Sequence, residues 1–461
     1  MSIGWLGIMR LGLVQMALGS VVSLTTSTMN RVMVVELATP ALLPGLLVSL
    51  YYGTQFLRPK FGHSADQGGK RTPWIIAGVV LLGLGAICAA VSVGLMQSAP
   101  TLGIAAAVPS FLLIGLGIGA GGTNLLALLA ARVEERHQGA AGSAVWIMMI
   151  FGLVVTAIVA GKLLDPYSPT RLVAVTAGVA TIALMLTLIG LWGQERHAIR
   201  PAPKRQLNFK QVLREMWSEP RTRAFTIFVF ASMTAYNLQD LILEPFAGHV
   251  FGMTVGQSTA LSGNHHAGAL VGMIGVLLSG TVLQRYVTVP LRVWIVGGCL
   301  LSGGALMALA FGAQTGPGWP LGANIFMLGL ANGVFAVAAI GAMMGMARDG
   351  AEAREGARMG VFGAAQAIGF GLGAFGGTVA ADVMRAILTS DAQAYGAVFA
   401  LEGLIFLIAA GLALRVTTRE PDMRVTTREP DMRVTTREPD MRVTAASNLN
   451  HPRNATLIAG E

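Results

Sequence analysis

Two short clusters of polar and ionisable side chains interrupt an otherwise apolar chain: Asn30, Arg31 and Glu36 in NRVMVVE, and Gln239, Asp240 and Glu244 in QDLILEP. An ionisable group at membrane depth costs on the order of 3 kcal/mol on insertion scales, so such groups face a bundle interior or cavity and pair. Superimposed, the clusters set Arg31 against Asp240 and Glu36 near Glu244. Opposite charges at equivalent places predict a bridge between two halves, serving as a gate or a cargo site. The other reading of Arg31 is an anchor that snorkels to the membrane surface. His265 and His266, in SGNHHAGALVG, offer a second chemistry. A neutral imidazole ligates metals, the magnesium of a chlorophyll-type macrocycle included; the alternative is a pair of packed or pore-lining histidines. No other spacing of Cys, His or carboxylates resembles a zinc or iron site.

The elements that must hold these residues follow from composition. Of 461 residues, 54% are hydrophobic and 12% charged, against about a quarter charged in a soluble domain. A spanning helix needs roughly 20 apolar residues. Twelve segments meet that need, near 11–36, 42–61, 73–97, 103–131, 142–164, 171–193, 224–247, 258–284, 291–313, 320–347, 360–385 and 394–414. The runs are too long and continuous for a β-barrel, and the first is too long for a cleaved signal. Cys88 and Cys299 lie inside such runs and read as small buried hydrophobes. With cytoplasmic termini, every Lys and Arg except Arg31, Lys162, Arg171 and Arg385 falls on the cytoplasmic side. The net charge of +9 is therefore a topology signal and predicts no nucleic-acid partner.

The polar connection near 194–223 divides the chain into a six-helix half at 1–193 and another at 224–415. Recurring signals (GLGIG at Gly115 and GLANG at Gly329, each span ending in Ala-Arg) suggest parallel repeats about an axis along the membrane normal. Within the connection, NFKQVLREMW has the spacing of an amphipathic surface helix over 208–217, either an interdomain strap or a docking site. The tail, 416–461, opens with three copies of VTTREPDMR, too polar and Pro-interrupted to order itself. GIGAGG and GLGAFG satisfy a dinucleotide-loop pattern but lie inside apolar spans, where close helix packing explains them. There is no Walker A sequence, which disfavours ATP-driven transport, and no enzymatic role is expected.

The loop GHSADQGGKR, with Gly62, Asp66, Gly69, Lys70 and Arg71, resembles the loop of the major facilitator superfamily after the second helix, which implies a cytoplasmic gate held by the Asp and the basic residues. The second copy, TVLQRYVTVPLR, keeps only Arg285 and Arg292. Further matches narrow the resemblance: TTSTMNRVMVVELATPALLPGLL, LRPKFGHSADQGGKRTPWIIAG and NLQDLILEPFAGHVFGMT are similar to the bacteriochlorophyll delivery (PucC/LhaA) family. The loop departs from the PucC and LhaA pattern and is closer to a subgroup associated with pigment-synthesis genes. The resemblance implies an all-α fold of twelve transmembrane helices in two pseudo-symmetric halves. It also implies an inner, photosynthetic membrane and handling of bacteriochlorophyll or a related tetrapyrrole as cargo. The implied partners are the lipid bilayer and light-harvesting polypeptides or bacteriochlorophyll synthesis enzymes, and the implied functional positions lie around Asn30, Arg31, Glu36, Asp240 and Glu244. A proton-coupled small-solute antiporter, with Asp240 and Glu244 as coupling sites, is the other class of reading, and a scaffold that no longer transports is a third. Against the antiporter, GSAVWIMMIFGLVVTAIVAG lacks the GP motif of drug antiporters.

Overall fold

In hydrocarbon the backbone must bond to itself, so apolar runs of this length become helices. The computed structural model describes residues 3–57, 70–134, 138–195, 217–281, 289–348 and 355–417, and every regular element among them is helical. The first half comprises α1 (Trp5–Glu36), α2 (Leu42–Gly53), α3 (Thr72–Leu95), α4 (Pro100–Arg132), α5 (Gln138–Leu163) and α6 (Pro169–Leu191). The second comprises α7 (Pro220–Leu238), α8 (Leu243–Phe251), α9 (Val255–Thr281), α10 (Leu291–Thr315), α11 (Leu321–Arg348), α12 (Glu355–Ile387) and α13 (Asp391–Thr417). Taking α7 and α8 as one crossing gives twelve. Among the described residues ten are long and apolar enough to span a membrane. The other two are the shorter α2 and α9, which carries Gln257, Asn264, His265 and His266.

The packing repeats after six crossings. In the first half α1 packs on α5 and α6, α3 on α4 and α6, and α2 on α4. In the second, α7 packs on α12 and α13, α10 on α11 and α13, and α9 on α11. Each pair has its counterpart. The halves meet along two seams that exchange under the same rotation, α5 against α9 and α2 against α12. An even number of crossings brings the chain back to the end where it began; the opposite end is called the far end below. Small residues make the close helix pairs possible, as the apolar GIGAGG and GLGAFG runs predict: a Cβ on Gly117 would lie 2.4 Å from the Leu82 nitrogen, and one on Gly373 2.4 Å from the Thr234 carbonyl oxygen.

Four expectations need revision, and two more fall almost wholly outside the described residues. The first span starts at Trp5, not near Leu11, and contains two π turns, Leu24–Thr28 and Val32–Glu36. The second is an α-helix only to Gly53 before a 3-10 turn, Thr54–Leu57. The seventh is broken between Leu238 and Leu243. Cys88 is exposed on the bundle surface, whereas Cys299 is buried as expected. Of the amphipathic connection only the exposed Trp217 is among the described residues, and the VTTREPDMR copies lie almost wholly outside them.

Candidate functional site

The break in the seventh crossing has a local cause in Pro245. Proline has no N–H to give to the carbonyl four residues earlier, so Leu241 cannot take its helical bond there. The Leu241 oxygen instead accepts from Asn30 Nδ2 of the opposite half at 2.6 Å. Asn30 is fully buried. One sequence feature, Glu-Pro after Gln-Asp, thus exposes a backbone acceptor, and the other, Asn-Arg, supplies the side chain that satisfies it.

Arg31 also bridges the halves, though not through Asp240 as its sequence alignment suggested. Its Nη1 donates to Glu36 Oε1 at 2.5 Å and its Nη2 to the Met253 carbonyl oxygen at 2.6 Å. The physical reason for the change of partner is the π turn at Val32–Glu36, whose i→i+5 repeat puts residues five apart on one face. Met253 follows the end of α8, where Gly252 has φ 65° and terminates the helix in the left-handed region. A guanidinium at a helix C-terminus also complements the helix dipole. Gly248 makes the approach possible, because a Cβ there would lie 3.2 Å from Arg31 Nη2. Arg31 is 2% exposed, so it is no snorkelling anchor.

Arg31 and Glu36 line a cavity of about 400 Å³ at the far end with Asp165, Tyr167, Gly248 and Met253. Two aspartates close the seams beside it. Asp165, following α5, accepts from Thr254 Oγ1 at 2.8 Å and the Gly256 amide at 3.1 Å, at the start of α9. Asp382, late in α12, accepts from the Ala41 and Leu42 amides at 3.0 and 2.7 Å, at the start of α2. Each carboxylate caps a helix of the other half, satisfying amides that a helix start leaves free. Removing one cap costs about 1 kcal/mol. Asp165→Ala and Asp382→Ala are therefore expected to destabilise separately by about that much, and by about twice it when combined, since the sites are independent. Chemical unfolding in lipid nanodiscs measures this; a double variant no weaker than either single would remove the latch role.

The phenol of Tyr167, between α5 and α6, has its oxygen buried in the cavity wall without a hydrogen-bond partner. Burial first, then the Glu36 charge, pushes it up to about 12, while Arg31 pulls the other way. An unfolded phenol titrates near ~10. Stability from this group is then constant below that pH and declines between the unfolded and folded values, as the unfolded chain alone loses its proton. Glu36→Gln is expected to bring the phenol down and Arg31→Gln to drive it further up, read by ultraviolet difference titration against Tyr167→Phe.

Deeper in the bundle, Tyr52 of α2, Tyr236 of α7 and Phe370 of α12 form an aromatic group across the halves, with Phe370 centroids 6.3 Å from Tyr52 and 5.9 Å from Tyr236. Asn237 Nδ2 donates to the Phe370 carbonyl oxygen at 2.7 Å. Asp240, in the helix break, is within electrostatic reach of Tyr52, Tyr236 and His266. The two histidines differ. His265 is buried, with Nε2 3.4 Å from Asn332 Nδ2. His266 is half-buried, and its Nδ1 donates to the Ser262 carbonyl oxygen at 2.7 Å. Glu244 accepts from Ser262 Oγ at 2.5 Å. Gln239 is buried beside Glu402 of α13, which the sequence reading had not singled out.

Of the gate loop, Gly62, Asp66 and Gly69 lie outside the described residues. Lys70 is exposed. The Arg71 guanidinium bonds to the Ala127 carbonyl oxygen within its own half, and Glu195 caps the start of α3 through the Arg71 and Thr72 amides at 2.5 and 2.9 Å.

This arrangement of two six-crossing halves is the major facilitator fold. Solved structures agree: a peptide transporter POT in complex with sulfate matches with TM-score 0.67 at 13% identity, over 90% of this chain and 96% of that one. The nucleoside transporter NupG matches with TM-score 0.62 at 14% identity, over 90% and 100%. Within that fold the chain belongs to the PUCC protein family, whose model matches residues 28–421. Among its relatives, the bacteriochlorophyll synthase 44.5 kDa chain of Rhodobacter capsulatus is 50% identical over 419 residues, covering 90% of this chain and 96% of the relative. Protein PucC of Cereibacter sphaeroides is 30% identical over 421 residues, covering 87% and 90%.

Proposed function

We propose that this protein binds bacteriochlorophyll or a precursor within the bundle and passes it to light-harvesting polypeptides or to the enzymes that make the pigment. The observation that carries the reading is the 2.7 Å contact between His266 Nδ1 and the Ser262 carbonyl oxygen. With Nδ1–H committed to a backbone carbonyl, Nε2 is fixed as a ligand atom, the arrangement by which a second-shell bond orients a metal-binding imidazole. His265, held by Asn332, is the less suitable of the pair. The half-buried Tyr52, Tyr236 and Phe370 offer faces for a flat macrocycle. When the pigment binds, its magnesium accepts the Nε2 lone pair, and the protein's part is to orient and shield the ring.

The 50%-identical relative carries a pigment-synthesis name, which favours a partner among synthesis enzymes. The proposed setting is a photosynthetic inner membrane with both termini cytoplasmic, a reading supported by the basic-residue asymmetry of the sequence; the far end is then the periplasmic one. No step of the proposed role is enzymatic. In a strain lacking this protein, complementation with His266→Leu is expected to leave antenna absorption at the deletion level, while His265→Leu restores most of it. Equal restoration by both would sink the role given to His266.

A further inference from the structure

The cavity at the far end holds donors without acceptors. Its volume of about 400 Å³ lies within the ~300–1,000 Å³ of small-molecule pockets, and the pigment contacts above do not use it. Three parts of the chain meet there: the last turns of α1 with Arg31 and Glu36, the connection from α5 to α6 with Asp165 and Tyr167, and the connection from α8 to α9 with Met253 and Thr254. The acceptors of this wall are served. Glu36 Oε1 takes Arg31 Nη1, the Met253 carbonyl takes Arg31 Nη2, and the two oxygens of Asp165 take Thr254 Oγ1 and the Gly256 amide. Two donors are not served. Arg31 Nε and the Tyr167 hydroxyl are both buried and lack a hydrogen-bond partner, and Arg31 as a whole is 2% exposed.

A buried donor left unpaired carries its full desolvation cost, so the wall calls for an acceptor. It does not call for an anion. After burial, the Glu36 charge is the larger influence on the Tyr167 phenol and raises it, while Arg31 is the smaller and lowers it, so the potential at the hydroxyl is negative. Asp165 adds a second carboxylate to the same wall. A metal ion is no better matched: it brings no acceptor, and no three His, Cys, Asp or Glu side chains among the described residues gather closely enough to hold one. What fits is a neutral oxygen, and a carbonyl, with two lone pairs, accepts from two donors at once. Pro166, Met253 and Val255 give the cavity an apolar side, so that carbonyl belongs to an amphiphile.

We propose that the far-end cavity binds the carbonyl oxygen of a neutral amphiphile, an ester or a ketone, which accepts from the Tyr167 hydroxyl and Arg31 Nε and lays its apolar body against Pro166, Met253 and Val255. The donors belong to the first half and Met253 and Val255 to the second, so occupancy bridges the halves where the Asp165 cap already joins them. Two sources carry this chemistry: a small membrane-soluble ester or ketone, or the ester and ketone groups at the rim of the pigment itself. The second rests on the function proposed above; the first does not.

Infrared spectroscopy of the full chain tests it, with protein made in a host without bacteriochlorophyll and held in maltoside, a detergent that has no carbonyl. The probe is methyl decanoate labelled with carbon-13 at its carbonyl. In the wild type a second ester band is expected at lower frequency than that of ester free in the micelle. In Tyr167→Phe its half-saturation should need about five to ten times more ester, the effect of one lost hydrogen bond. Without ester the two proteins should unfold at the same temperature, since phenylalanine fills the ring's space and removes a hydroxyl that has no partner. An ester band that never moves, or moves equally in Tyr167→Phe, overturns the proposal and leaves a cavity that holds water only. So does labelled decanoate bound more tightly than its ester, because the site is then one for anions. Repeating the titration on pigment-loaded protein separates the sources: a displaced ester band that disappears assigns the carbonyl to the pigment, and one that persists assigns it to a separate amphiphile. Protein that takes up no pigment counts against the pigment reading alone, and the ester result stands.

Discussion

Arg31→Gln is expected to destabilise the protein by about 2 kcal/mol, within the ~1.5–3 kcal/mol typical of a hydrogen bond to a charged group. The loss falls on the Met253 carbonyl at the end of α8, which no other described donor serves. Glu36 is 38% exposed at its side chain and can hydrate itself, so Glu36→Gln alone should cost under about 1 kcal/mol. Arg31→Lys should recover only part of the loss, since a compact ammonium cannot span two partners that a planar fork reaches. The diagnostic measurement is a pair of double-mutant cycles by chemical unfolding in lipid nanodiscs. Coupling is expected between Arg31 and Glu36 and close to none between Arg31 and Asp240. The reverse pattern would restore the charge pair that the sequence alignment suggested and contradict the π-turn account.

Substitution at the far-end seam should have a comparable effect by a different route. A Cβ on Gly256 would sit 2.2 Å from the Gly161 carbonyl oxygen and 2.5 Å from the Asp165 carboxylate. Backbone cannot yield as a side-chain tip does, so Gly256→Ala must part α5 from α9 or strain both. Overpacking of this kind costs about 1–3 kcal/mol. With Cys88 and Cys299 replaced, spin labels at the exposed Leu163 and Gln257 should move apart in Gly256→Ala. Gly178→Ala, at a site with open space around it, should change neither distance nor stability. An unchanged distance in Gly256→Ala would mean that the seam does not hold the far end closed.

The order of spans, the two halves and their repeat were legible because hydrophobic run length is imposed by the bilayer itself. The break was not, although its cause was in plain view: Pro245 sits inside an apolar run, and its effect on Leu241 becomes visible only when the missing partner is sought. Arg31 was correctly placed between the halves but given the wrong acid, because superposing two segments assumes ideal helical phase and a π turn shifts it. Asp165 and Asp382 carry no local mark as caps; the helices they cap belong to the other half and are remote in sequence. Glu402, in LEGLIFLIAAGL, was the overlooked signal. An acid mid-way along a span is a functional hypothesis by default, and it lacked only a neighbour in sequence to draw notice.

Pigment binding within the bundle, at His266, is the central claim, and an absorption spectrum tests it most directly. Full-length protein purified from a pigment-making cell is expected to carry bacteriochlorophyll or a precursor at about one per chain, retained in His265→Leu and lost in His266→Leu. Protein that purifies without pigment under conditions preserving its fold, or a His266→Leu variant with an unaltered spectrum, would contradict the account.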